Sequence, residues 1–536
     1  MGDPEFDYII IGAGSSGCVL ANRLSANGRH NVLLLEAGPK DNYLWIHIPI
    51  GYGKTMFHAA YNWGFYTDPE DAMHGRRIYW PRGRGLGGSS SINGLIYVRG
   101  QPEDYDQWVQ LGNSGWGWND VLPYFKKSEH NSRGASPMHG GDGPLWCSDI
   151  VEKNELMEAI IRGAQELGVP RTDDFNGGQQ EGVGYYQLFT HRGWRVSSAV
   201  AYLRPARLRS NLRVETNAHV TGLILNGRKA IGVRYRQSGS LREARAGREV
   251  ILSAGALQSP QLLQLSGIGP AELLRAKGVD VVHDLPGVGQ NLQDHLQFRV
   301  MFRVAKPITT NDDLRTLWGK ARIGLKWLAN GTGPIGIGIN QGGLFTRVLP
   351  GSRTPDIQFH FATLSADQAG SQPHSWSGCT FSVCQLRPQS RGRVEINSTD
   401  PMQAPSMKPN YLSTETDRLC AIEGIKYARR LAATAAVNRY LVDEYKPGES
   451  VRSDNEILEF AREYGATIFH PSGTCKMGDD PMAVTDSSLK VRGMQGLRVV
   501  DCSIMPTLVS GNTHSPAVMI AEKASDMILA DAVAST

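Results

Sequence analysis

The chain has 536 residues, 40% apolar and 20% charged, a balance that excludes disorder, and its length exceeds one ordinary core, so two domains are expected. A formal net charge of +4 with no long Lys/Arg run excludes a nucleic-acid partner. Seven scattered cysteines without a C-x-x-C pair argue against a disulfide framework and a zinc cage, so no metal site is expected and a reducing compartment fits best.

No run of about 18 apolar residues and no basic-then-apolar leader is visible, so the expected location is cytoplasmic. Met1 to Phe6 (MGDPEF) is set aside as a cloning remnant. Asp7 to Ile11 (DYIII) reads as a short strand that runs into Gly12-Ala13-Gly14-Ser15-Ser16-Gly17 and then a helical pattern, Cys18 to Leu24. In such a turn the first glycine allows the bend and the second lets backbone approach a pyrophosphate. The third lets helix pack on strand, with the anion at the helix N-terminus. A second strand, Asn31 to Leu35, ends in Glu36, about 20 residues after the glycines, where a carboxylate accepts from ribose hydroxyls. An acid there suits a ribose without 2′-phosphate, so NAD and FAD both fit.

Gly83 to Asn93 (GRGLGGSSSIN) crowds backbone donors and hydroxyls together without a phosphate-loop pattern. Leu86 and Ile92 inside the run, and Leu95 to Gly100 after it, argue against a linker and for a loop that follows a flat or anionic ligand. Leu314 to Leu328 sets Leu317, Trp318, Ala321, Leu325 and Leu328 against Arg315, Lys320, Arg322 and Lys326. A helix covering a domain with its basic face solvated is the favoured interpretation, and peripheral membrane contact is the alternative. Asp356 to Phe361 alternates in polarity and Thr380 to Leu386 does so less cleanly, which predicts antiparallel strands, with strand packing favoured for His360 over lining a cavity.

Of the fourteen histidines, His30, His58, His74, His130 and His139 sit in polar or glycine-rich surroundings and read as solvated. His470 closes Ala466 to Phe469 and precedes Pro471, which biases it toward an extended loop position. His514 lies in Gly511-Asn512-Thr513-His514-Ser515-Pro516, just before a helical run whose start Pro516 marks.

Several segments together resemble the glucose-methanol-choline (GMC) oxidoreductases. Gly83 to Asp106 matches the family's first signature, and Gly255 to Pro260 through Ser266 to Gly269 matches the second. Pro286 to His295, Arg387 to Val394 and His470 to Thr474 are similar blocks, so the resemblance spans nearly the whole chain. It runs most closely to bacterial choline-dehydrogenase-like alcohol dehydrogenases, including those for aliphatic alcohols, sorbose and polyethylene glycol.

The resemblance implies an α/β fold, α+β overall. A Rossmann-like FAD-binding domain (1–155, 208–310 and 460–536) is interleaved with a substrate domain (156–207 and 311–459) built on an antiparallel sheet flanked by helices. It implies that Gly12, Gly14, Gly17 and Glu36, with Ser15, Ser16 and Ala37 beside them, hold the ADP half of FAD. Gly88, Asn93, Gly94, Leu95 and Ile96 would line the flavin, Val220 and Asp501 would complete the cradle, and Asn512 and Thr513 would contact the ring through their backbones. Ile92 stands where some relatives carry a histidine that binds FAD covalently, so dissociable FAD is expected.

The implied reaction is oxidation of an alcohol to an aldehyde or ketone by hydride transfer to flavin N5. His470 would be the base and His514 would orient the substrate oxygen, although close relatives commonly carry asparagine at the latter position. Electrons would pass to a quinone or another acceptor other than oxygen. An oxidase releasing peroxide, a non-redox flavoprotein lyase and a bare FAD-binding module are the alternatives.

Overall fold

Val32–Leu35 (β2) is an unbroken apolar run and Phe6–Ile11 (β1) is apolar but for Asp7, and only strands covered on both faces can bury nearly every member. The computed structural model describes residues 6–368 and 370–534, so Met1–Glu5 of the stretch set aside above lie outside the described residues. Phe6, set aside with them, instead pairs with Ala246 and opens β1. Between the two strands, α1 (Ser15–Leu24) buries most of its residues against the sheet and against the C-terminal helix.

In chain order the other elements used below are β3 (Gly182–Tyr185), β4 (Leu212–Glu215), β5 (Ala218–Asn226), β6 (Lys229–Gln237) and β7 (Ser240–Leu252). Then come α2 (Gly255–Leu265), β8 (Leu296–Val304), α3 (Leu317–Asn330), β9 (Asn340–Thr346), β10 (Ile357–Ala362), β11 (Gly378–Gln385) and α4 (Glu415–Ala432). β12 (Leu441–Lys446), β13 (Ala466–Thr467), β14 (Leu497–Val499) and α5 (His514–Ala534) complete the set.

One sheet runs β4-β2-β1-β7-β6-β5, with β14 also on β7. Its β4, β2, β1, β7 and β14 are parallel, and β5, β6 and β7 form antiparallel pairs. The second sheet runs β12-β8-β11-β10-β9-β3, antiparallel throughout, with β13 also on β8. Residues 296–304 were expected in the FAD-binding part. They belong to the second sheet, because Gln297 to Arg303 pair residue by residue with Cys384 to Gly378. Alternation along β8 explains this: Phe298, Val300 and Phe302 are buried in the core, and Gln297 and Arg299 face a cavity on the other side.

Two surface expectations are corrected. α3 buries only Gly319 and Ile323, and turns Leu317, Trp318, Leu325 and Leu328 outward, so its apolar side chains do not cover a domain. Among the described residues, no helix is long and apolar enough to cross a membrane. His139 and His30 are buried, not solvated: His30 packs edge-on against Tyr8, while His139 Nδ1 lies 2.8 Å from Glu129 Oε1 and its Nε2 2.7 Å from Asp174 Oδ2, and Glu129 also pairs with buried Arg99 at 2.6 Å. Burial alone would lower the His139 pKa, but hydrogen bonds to Asp174 and Glu129 outweigh that and raise it to about 9.

Because the folded pKa lies above the ordinary 6.5, the stability that this proton contributes is complete below pH 6.5 and fades as pH rises toward 9. Glu129→Gln should cost about 3–5 kcal/mol by leaving Arg99 buried without its partner. It should also flatten the fall in Tm across that window; a Tm and slope equal to those of the unmodified protein would contradict the assignment.

Candidate functional site

α1 starts at Ser15 with no side-chain cap from Gly14, so its first-turn amides open onto a channel lined by Gly12, Gly14, Ser15 and Ser16. Gly12 has φ +97°, and a Cβ there would meet Ser253 O at 2.6 Å. A Cβ on Gly17 would meet Gly12 O at 1.8 Å, so the third glycine is a helix-packing contact and does not line the channel. Gly88 presses equally close: a Cβ there would come within 2.6 Å of Gly14 Cα, which seats the glycine-serine loop on the dinucleotide turn.

Glu36 is buried at the head of this channel. Its Oε2 accepts from the Ala13 amide at 2.8 Å, and its Oε1 accepts from the amides of Gly38 at 2.8 Å and Gly85 at 2.9 Å. Burial pushes its carboxyl pKa up, and the three amides oppose that shift. Ala37 and Val220 line the same channel, as does Asp501, whose Oδ2 accepts from the Gly255 amide at 2.9 Å and from Ser259 Oγ at 2.6 Å. Apolar walls from Ile11, Leu35 and Val220, an uncapped helix start and a buried carboxylate fit an adenine dinucleotide, and with it the ADP half of FAD.

The channel continues into a chamber of about 570 Å³, and Ser15, Ser89 and Thr513 line both. That volume lies in the range of roughly 300–1,000 Å³ that holds small-molecule ligands. One wall is Gly94, Leu95, Ile96, Asn93 and Ile92; the other is the second sheet, with Gln297, Arg299, His360, Thr380 and Ser382. His360, for which strand packing was favoured over lining the cavity, faces the chamber. His470, Asn512, Thr513 and His514 lie between the walls.

β13 pairs with β8 through Leu296↔Thr467 and Gln297↔Ala466, and the Ile468 amide donates to His295 O, which brings His470 against His295. The His470 amide donates to Asp294 Oδ1 at 2.8 Å, and Asp294 also accepts from Thr467 and Tyr411 hydroxyls. His470 Nδ1 lies 2.9 Å from His295 Nδ1, and His295 Nε2 lies 2.9 Å from Leu386 O. A carbonyl only accepts, so the proton of neutral His295 sits on Nε2 and its Nδ1 must accept. His470 then donates from Nδ1, and its Nε2 carries no proton and offers a lone pair.

That nitrogen stands 3.4 Å from Asn512 Nδ2. Asn512 is turned this way because Gln358 Nε2 donates to its Oδ1 at 3.2 Å. Burial, and then the charges of His295, His360 and Arg82, hold the His470 pKa well below 6.5, while burial brings His295 to about 4. The ring is neutral at ordinary pH.

His514 is placed differently. The chain has already entered α5, and the ring packs edge-on against Phe189 with Nδ1 3.0 Å from Ser15 Oγ. Its Nε2 has no hydrogen-bond partner among the described residues, and burial takes its pKa to about 3. Asn512, for which only a backbone contact was expected, brings its side chain to His470 Nε2. Asp294 and His295 stood in a family-like block but carried no assigned role. The alternation that puts residues 297 and 299 on one strand face, directly after His295, was the available signal.

The family described as GMC oxidoreductase matches in two parts, residues 6–297 and 388–521. The mitochondrial choline dehydrogenase of Mus musculus is 44% identical over 98% of this chain and 90% of its own length. The alcohol dehydrogenase (acceptor) of Pseudomonas putida is 43% identical over 98% and 96%. A variant of the formate oxidase of Aspergillus oryzae RIB40, solved for its effect on FAD modification, superposes with a TM-score of 0.91 at 27% identity, covering 99% of both chains.

His470 accepts a proton only while neutral. A reaction that depends on it should keep its kcat/KM plateau as pH falls through 6.5 and lose rate only in more acidic buffer, as the depressed pKa requires. An acid limb centred at or above 6.5 contradicts this placement.

Proposed function

The chain belongs to the GMC oxidoreductases and is an FAD-dependent oxidoreductase of the alcohol-oxidising kind, and we propose that His470 is its base and Asn512 the residue that orients the substrate oxygen. The product is an aldehyde or ketone. When bound, FAD supplies the hydride acceptor. Gly12, Gly14, Ser15, Ser16, Glu36, Ala37, Val220 and Asp501 would hold its ADP half, and Gly88, Asn93, Gly94, Leu95, Ile96 and Thr513 its flavin.

The observation that carries this mechanism is the unprotonated Nε2 of His470, which faces the chamber and accepts from Asn512 Nδ2 at 3.4 Å. With Leu386 O fixing His295 and His295 fixing His470, the lone pair is presented before any substrate arrives, so no ring rotation or tautomer exchange is needed to take the hydroxyl proton. Asn512 Nδ2 donates to the same oxygen and shortens the list of orientations in which the carbinol can bind. When His470 becomes charged, its Nδ1–H remains bonded to His295, so the relay holds the cation in place. The N-terminus of α5 opens on the same chamber and favours negative charge there.

His514 takes a supporting role through Ser15 at the start of α1, and the orienting function expected of it passes to Asn512. The mouse and Pseudomonas putida relatives are named dehydrogenases, which supports a quinone or similar acceptor in preference to oxygen. FAD is held without a covalent bond, a reading supported by Ile92, which lines the chamber where a linking side chain would stand and has no nucleophilic atom.

Anaerobic mixing with alcohol should bleach the flavin, and an added quinone should restore its colour faster than oxygen does. His470→Ala should slow bleaching by about 10²–10⁴-fold with little change in substrate affinity, and His514→Asn should be milder; trivial or equal effects of the two would remove the assignment. Acid precipitation should leave the flavin in the supernatant, and flavin retained in the pellet would overturn dissociable binding.

A further inference from the structure

We infer that the alcohol oxidised in this chamber carries a carboxylate or similar anionic group several carbon atoms from its hydroxyl, held by Arg299, and that alcohols bearing a quaternary ammonium group are excluded. The inference rests on the alcohol-oxidising reading above, because it concerns what the same chamber admits.

Alternation along β8 sets Gln297 and Arg299 on the chamber face, two and four residues beyond His295. His295, which fixes His470, immediately precedes β8, and four residues of extended chain, about 13 Å, separate its Cα from that of Arg299. Across the sheet, Arg299 is in register with Ser382, and Ser382 with His360, both of which also line the chamber. A long arginine side chain can reach back along that face, so hydroxyl and anion are bridged by a short carbon chain.

Three cations line the chamber: Lys54, Arg82 and Arg299. Arg82 is committed to Phe469 O at 2.6 Å and Ser89 Oγ at 2.7 Å, and Lys54 lies over the Trp45 ring at 3.7 Å. Arg299 makes no hydrogen bond or ion pair among the described residues, and not one Asp or Glu lines the chamber with it. A half-buried guanidinium without a partner is an incomplete arrangement, and a carboxylate completes it through two parallel hydrogen bonds. A quaternary ammonium group would meet the opposite situation, a like charge in a poorly solvated space with no carboxylate to offset it. Overall identity of 44% to a protein named choline dehydrogenase therefore does not extend to that substrate.

The test measures anaerobic flavin reduction in the FAD-loaded chain with hexanol and choline. Beside them runs a series of straight-chain ω-hydroxy acids of increasing length. The best hydroxy acid should exceed hexanol in kcat/KM by about tenfold or more and choline by about a hundredfold or more. Arg299→Gln should bring hydroxy acid and hexanol to within about threefold of each other, and Arg299→Glu should place choline above the hydroxy acid. The flavin absorbance of each variant reports that it folds and holds FAD. Equal kcat/KM for hexanol and every hydroxy acid, or an acid preference that survives Arg299→Gln, overturns the inference while alcohol oxidation stands. Flavin that is bleached by none of these compounds removes the alcohol-oxidising reading as well.

Discussion

Glu36 joins three parts of the chain. Its two oxygens accept from Ala13 in the dinucleotide turn, Gly38 after β2 and Gly85 in the second glycine-rich loop. A buried carboxylate without such donors would be strongly disfavoured, so the position holds only if all three segments converge on it. With the loop held there, Gly88 can reach van der Waals contact with Gly14, and the channel that starts at the uncapped end of α1 runs on without interruption into the chamber. Every later feature of the site depends on that continuity.

Inside the chamber the recurring problem is how to keep a base neutral and aimed. Burial alone favours the uncharged ring, but it does not decide which nitrogen carries the proton. The Leu386 carbonyl decides that, acting through His295, and Asp294 fixes the backbone of His470 through its amide. Asp294 itself is held near a pKa of about 6 because burial raises it while the hydroxyls of Thr467 and Tyr411 and the His470 amide pull it down. The histidine rings are therefore neutral, and the largely ionised Asp294 has its charge shared among three donors, in a space that would penalise an isolated charge. Arg299 is the exception, and its lack of a partner is what gives it meaning.

The interleaving of the two sheets is what brings this about. β7 zips onto β6 with its first half and onto β1 with its second, and β8 then leaves for the other sheet. β13 returns to β8 for only two residue pairs, Leu296 with Thr467 and Gln297 with Ala466, and that short contact delivers His470 to His295 across 175 positions of sequence. The residues that do chemistry thus come from the strands' margins, and the strand interiors supply rigidity.

Sequence by itself determined whatever depends on neighbours a few residues away. The strand, glycine turn and helix from Asp7 to Leu24, the acid at Glu36, the glycine-serine loop and the extended entry to His470 all follow from local sterics and periodicity. The family-like blocks carried the cofactor and the reaction class. Tertiary structure alone set Asn512 Nδ2 3.4 Å from His470 Nε2 and His514 Nδ1 3.0 Å from Ser15 Oγ. It also decided that His139 is an ion-paired core residue, that α3 turns its apolar side chains outward, and that β8 belongs to the second sheet with Arg299 in the chamber. Periods of 2 and 3.6 say which residues share a face, but only long-range strand pairing and helix packing say what that face meets.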